Sequence, residues 1–228
     1  MGSGTESMEE LEERVRQGFE HWAPVSSEIE IAWSLGQKLK EHHPPSYTDD
    51  LKTALKTVDI LQHIRFHPRP GIPRISSPRP GLYGGYLHDT GKVDTPVGIL
   101  DKAYTPGSVY TLEDHKEIKK HPWRGYEICL EHGLLMTALM ALLHQTFDLR
   151  DPYPRESERP PYPPEFASEK TRILLRFNTR MVSLADQYIA GHRPNIPRTS
   201  AEIKLEMLAK NPDQKELILE LYKNHVFV

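Results

Sequence analysis

Apolar residues recur along this chain at the three- and four-residue intervals of α-helices, and no alternating stretch is long enough to specify a strand of consequence. Glu9 to Phe19 is charged with helical spacing. From Ser27 to Glu41, Ile29, Ala32, Trp33, Leu35 and Leu39 form one stripe behind a serine cap. Thr48-Asp49-Asp50 reads as the cap of a third helix from Leu51 to about Phe66, with Leu51, Leu55, Val58, Leu61 and either Ile60 or Ile64 turned inward. Leu82 to His88 predicts a helix that ends on a His-Asp pair. Thr111, three residues before Asp114, opens an amphipathic stretch to Leu130. Leu134 to Leu143 is almost wholly apolar and, at that length, a buried helix and not a membrane span. A long helix follows from about Ser168 to Ala190, with Ile173, Leu174, Phe177, Met181 and Leu184 spaced for burial, and Ala201 to Ala209 and Gln214 to Tyr222 form two short ones.

Two proline-rich segments interrupt this pattern, His67 to Gly81 and Asp151 to Glu165. Proline lacks the amide hydrogen that a helix interior or a central strand requires, so both are expected as loops. Arg65, Arg69, Arg74 and Arg79, in or near the first loop, either line an anion site or stand in solvent. The expected fold is all-α, with a helical extension over residues 1–50 packed on a main domain over residues 51–228.

The 228 residues suffice for one sizeable core, and a net charge of -3 gives no global field for duplex nucleic acid. An anionic ligand must be held locally. One cysteine, Cys129, excludes an internal disulfide framework and fits a core thiol in a reducing compartment. With no membrane-length apolar run and no signal-peptide core at the start, the expectation is a cytoplasmic protein with no membrane partner.

The candidate chemistry lies in polar residues beside the ends of apolar helices. His88 and Asp89 are adjacent; His121 lies in Ile118-Lys-Lys-His121-Pro-Trp-Arg-Gly125, His144 closes the apolar run, and Asp186 lies in Ser183-Leu-Ala-Asp186-Gln-Tyr188. Imidazole nitrogen with carboxylate oxygen suits iron, manganese or zinc in a hydrolytic centre. Taken singly, each is as well explained by ordinary core or surface hydrogen bonding. His115 reads as a surface residue, Lys102 as a salt-bridge partner, and the neighbours His42 and His43 as too divergent to share one ion.

The segments Leu87-His88-Asp89-Thr90-Gly91-Lys92-Val93, Pro96-Val-Gly-Ile-Leu-Asp-Lys102 and Ile118 through Gly125, followed by Leu184-Ala-Asp186-Gln-Tyr188 and Arg193-Pro194, resemble in order and spacing the motifs of the HD superfamily, most closely its HD-GYP branch. The resemblance covers roughly residues 82–225. It implies an HD-type helical bundle, here with extra N-terminal helices and two proline-rich loops, acting as a metal-dependent phosphodiesterase of cyclic di-GMP or another nucleotide phosphate. His88, Asp89, His121, His144 and Asp186 would be metal ligands, Asp89 would bridge two ions, and Lys92 would meet a phosphate oxygen. The cofactor would be one or two divalent ions, iron or manganese first and zinc or nickel as alternatives, with a metal-activated hydroxide as nucleophile. Tyr153 and Arg193 are candidate substrate contacts as well as candidate packing residues. The partner is then a nucleotide or phosphate ester, and a homodimer is left open.

Two positions depart from the family pattern. Gln145 stands where a second ligating histidine is usual, and Pro152 where the family has the glycine of its name. Both favour a rival reading, a binding or signalling module that keeps the scaffold without turnover. A further ligand upstream of His88 has four candidates, Glu28, Asp50, His63 and His67, with Asp50 reading first as a helix cap.

Overall fold

The computed structural model describes residues 6–22, 26–68, 72–74, 77–149 and 151–228. Among these residues the regular elements are all helices: α1 (Met8–Trp22), α2 (Ser26–His42), α3 (Pro44–Phe66), α4 (Arg79–Leu87), α5 (Val97–Leu100), α6 (Leu112–Ile118), α7 (His121–Glu131), α8 (Leu135–Leu143), α9 (Glu169–Gly191), α10 (Ser200–Lys210) and α11 (Lys215–Lys223), joined by short 3-10 turns. The all-α expectation therefore holds. No described helix is long and apolar enough to cross a membrane.

The start of α3 corrects the sequence reading. Pro44 and Pro45 occupy its first turn, where their missing amide hydrogens cost nothing, and the ring of His43 accepts from the Ser46 amide as the cap. Asp49 and Asp50 are therefore not caps. They lie inside the second turn and are buried, with 7% and 1% exposure.

Three other expectations change. The stretch from Thr111 to Leu130 is two helices, because Pro122 restarts the chain as α7 and His121 becomes its first residue. Thr111 and Asp114 do form the reciprocal capping box. Arg79 to Gly81 belongs to α4 and not to the first loop. Ile173 is exposed, and the neighbouring Leu175 takes the inward position on α9. The second proline-rich segment remains irregular apart from short 3-10 turns at Glu156–Glu158 and Pro164–Phe166.

α3 and α9 form the centre, and α4 packs against both as well as against α8. Gly85 permits this closeness: a Cβ there would stand 2.6 Å from the Ala54 Cα of α3. The N-terminal helices pack against α4, since Leu11, Val15, Phe19, Ala32, Leu35 and Leu39 share one apolar cluster with Leu82, Tyr86 and Leu87. Residues 44–50 are continuous in α3 with residues 51–66. Cys129 is buried in that same cluster. A second cluster joins α3 and α9 to α10 and α11 through Ile60, Leu61, Leu184, Ile203 and Ile218.

Candidate metal centre

Four chain segments deliver the site. α4 ends at Leu87, so His88 and Asp89 occupy the turn between it and the 3-10 segment Thr90–Asp94. His121 opens α7, His144 directly follows α8, and Asp186 lies in the last turns of α9. Placing ligands at helix ends lets short polar side chains meet while the apolar bodies of the helices pack behind them.

All five converge. The Nε2 atom of His88 is 3.5 Å from Asp89 Oδ2 and 3.6 Å from Asp186 Oδ1. On its other oxygen, Asp89 Oδ1 is 3.1 Å from His121 Nε2 and 3.6 Å from His144 Nε2. The latter two nitrogens are 3.3 Å apart. Ligand atoms of the buried trio His88, Asp89 and His144 lie within 4.8 Å of one another, close enough to hold one metal ion.

The hydrogen bonds around the rings fit ligation. Each imidazole directs Nδ1 at the carbonyl three residues earlier: His88 to Gly85 at 2.9 Å, His144 to Ala141 at 2.7 Å and His121 to Ile118. Donation from Nδ1 leaves the Nε2 lone pair facing the centre, the tautomer a metal requires. His88 Nε2 and Asp89 Oδ1 are buried without a hydrogen-bond partner. Such orphans are rare in native interiors, and these two lie in the same small space, as a cation between them would require.

The charges point the same way. Burial drives the His88 imidazolium toward its neutral form, but Asp89, Asp50 and Asp186 outweigh it and hold the group up at about 10. A field that favours a proton at Nε2 also favours a metal cation there. Burial opposes ionisation of Asp89, yet Lys92, His88 and His121 keep its carboxyl well below the usual carboxylate range. Burial lowers the His144 imidazolium.

The remaining candidates separate cleanly. Lys92 donates to Asp89 Oδ2 and is buried. Asp50 lies behind His88, its Oδ1 3.7 Å from Nδ1 and without a hydrogen-bond partner, so it backs the ring instead of facing the ligand side. Glu28 pairs with Arg79, His63 meets Glu220 at 2.7 Å, and His67 stacks on His63, so none of the three joins the cluster. His42 contacts the Thr95 carbonyl and His43 meets Asp101, two separate destinations. Lys102 pairs with Asp114, and the exposed His115 ring lies tilted beside Tyr110, with ring centres 5.4 Å apart. In the proposed anion loop Arg79 is engaged by Glu28, and Arg69 lies outside the described residues.

A cleft of about 310 Å³ opens over the cluster, lined among others by Asp89, Lys92, His121, Tyr153, Asp186 and Arg193. Tyr153 approaches His121 edge-on, with ring centres 6.2 Å apart, and Lys119 Nζ stands over the Tyr153 ring, 5.4 Å from its centre. Gln145, beside His144, donates its amide hydrogen to Asp186 Oδ2 at 3.3 Å.

No family model, curated protein or solved structure matches this chain. The functional reading therefore rests on the residues and their geometry.

Among the residues that escaped the sequence reading are Tyr104, which lines the cleft, and Asp49, which is bonded to Arg193. The signal for Asp49 was present in Pro44-Pro45, a strong helix start that moves both following acids away from capping positions. Nothing local distinguishes Tyr104.

Proposed function

We propose that the chain is a metal-dependent phosphohydrolase, a divergent HD-GYP-type phosphodiesterase acting on a cyclic dinucleotide such as cyclic di-GMP or on another nucleotide phosphate. The observation that carries this reading is the meeting of His88, Asp89, His121, His144 and Asp186 from four segments, with the orphaned His88 Nε2 and Asp89 Oδ1 at its centre. These five residues would hold the ion, iron or manganese by donor type. When bound, a divalent ion supplies the positive charge that polarises a phosphate and acidifies water.

The chain's own residues do the rest. The carbonyls of Gly85, Ile118 and Ala141 fix the three ring orientations, so the ligands need no rearrangement. Lys92 keeps Asp89 ionised and lends positive charge to the cleft floor. Arg193 lines the same cleft and offers guanidinium hydrogens to an anionic group, and Tyr153 closes one side beside His121.

Gln145 favours the second reading, a binding or signalling module of the same type. Its amide hydrogen is committed to Asp186, and an amide nitrogen is no metal ligand. Metal analysis after anaerobic loading with iron or manganese, followed by assays on bis(p-nitrophenyl) phosphate and cyclic di-GMP, separates the readings. Retained metal with turnover supports the enzyme, retained metal without turnover on either ester supports the module, and a chain that retains no metal refutes both. Asp89→Ala is expected to abolish metal retention and turnover while far-ultraviolet circular dichroism stays at the wild-type level.

A further inference from the structure

Consecutive buried acids inside a helix are costly unless each has an assigned partner. Asp50 backs His88. Asp49, one residue earlier on α3, turns instead to two residues that line the cleft: its Oδ2 accepts from Arg193 Nε at 2.7 Å and from the Tyr104 hydroxyl at 2.7 Å. The Arg193 guanidinium carbon also stands 5.5 Å from the Tyr104 ring centre. Arg193 and Tyr104 line both the cleft over the metal-type residues and a second hollow, which Asp49, Lys52 and His192 also line.

The form of this ion pair is informative. Elsewhere in the chain, Arg180 grips Asp213 through both Nε and Nη2, at 3.3 and 2.6 Å, the two-pronged geometry that uses the fork for structure. Arg193 gives Asp49 only Nε, and among the described residues neither of its terminal nitrogens has a hydrogen-bond partner. A guanidinium anchored at Nε, flanked by a tyrosine ring and free at both Nη atoms is a preorganised anion fork.

We propose that Asp49 is a positioning residue: with Tyr104 it fixes the Arg193 guanidinium so that its two terminal nitrogens receive a phosphate group of the ligand. This rests on the phosphate-ester reading of the cleft but not on the metal.

Titration calorimetry with inorganic phosphate as the probe, on the full chain both manganese-loaded and metal-free, tests it. Asp49→Asn is expected to weaken phosphate binding about tenfold, the scale of one charge-assisted hydrogen bond, and Arg193→Met at least as much. Because Asp49 acts through Arg193, the double variant should bind no more weakly than Arg193→Met alone. Metal content should be unchanged in all three. Tyr104→Phe, which deletes a single hydroxyl, should weaken binding about threefold and serves if Asp49→Asn fails to fold. Wild-type binding by Asp49→Asn, or by Tyr104→Phe where Asp49→Asn fails to fold, overturns the proposal. So do losses that multiply in the double variant, loss of metal on Asp49→Asn, or absence of phosphate binding by the wild type. A wild-type chain that takes up no manganese but shows the predicted phosphate series refutes the metal reading and leaves the positioning role standing.

Discussion

Replacing Gly91 by alanine tests whether the two halves of the centre are held in register by backbone contact. Gly91 follows His88-Asp89-Thr90 in the 3-10 turn, and a Cβ built on it would stand 2.0 Å from the His121 carbonyl oxygen and 2.4 Å from the Gly125 amide nitrogen. Both are backbone atoms of α7, which no side-chain rotation can move aside. Ordinary contact requires about 3.5 Å, so α7 must retreat by more than about 1 Å. Overpacking of this kind costs roughly 1–3 kcal/mol, and a backbone clash belongs at the upper end. For a chain of this size about 3 kcal/mol lowers Tm by roughly 6–12 °C. The same retreat carries His121 away from Asp89, now 3.1 Å from it, so manganese affinity should fall at least about tenfold. Thermal unfolding followed by circular dichroism and equilibrium metal binding measure the two effects. Gly98→Ala is the matched control, since a Cβ there meets nothing within 4 Å. A Gly91→Ala protein that melts within a degree of the wild type and keeps full metal affinity would refute the reasoning.

Three further predictions address other parts of the molecule. Asp50→Asn removes the carboxylate behind His88 and should weaken manganese binding about tenfold at unchanged stoichiometry, measured by competition with a chelator; unchanged affinity would remove Asp50 from the supporting shell. Thr111→Ala deletes the cap of α6 and should cost about 1 kcal/mol in urea unfolding, with a loss below about 0.3 counting against the capping box. Burial pushes the Cys129 thiol up to about 12 from an ordinary value of 9.0, so the folded state disfavours the thiolate. Stability from this group is intact below pH 9.0 and is lost as pH rises toward 12; the native thiol should resist alkylation at pH 8 until denaturant exposes it, and rapid native alkylation would contradict its burial.

Much of the fold was legible because its signals are local. The stripe on α2, the capping box at Thr111 and Asp114, and the uniformly apolar run before His144 each lie within a few turns of chain, where side-chain spacing maps directly onto a helix face. The readings that failed were also local conflicts. Thr48-Asp49-Asp50 has cap chemistry, but Pro44-Pro45 begins the helix earlier, and Pro122 divides an amphipathic stretch whose spacing alone looks continuous. Of the four upstream candidates beside His88, only Asp50 reaches the ring, and no spacing in the sequence distinguishes it from Glu28, which lies at the surface with Arg79.

By itself the sequence determined an all-α chain and the set of nitrogen and oxygen donors available at helix ends, since residue type and 3.6-residue periodicity are properties of neighbouring positions. Tertiary structure alone decided that Asp89 faces three imidazoles, that Gln145 is spent on Asp186, and that the adjacent Asp49 and Asp50 go to different partners, Arg193 and His88. Those relations join residues far apart in the chain, and their distances are set by the packing of α3, α4, α7, α8 and α9, to which no local pattern refers.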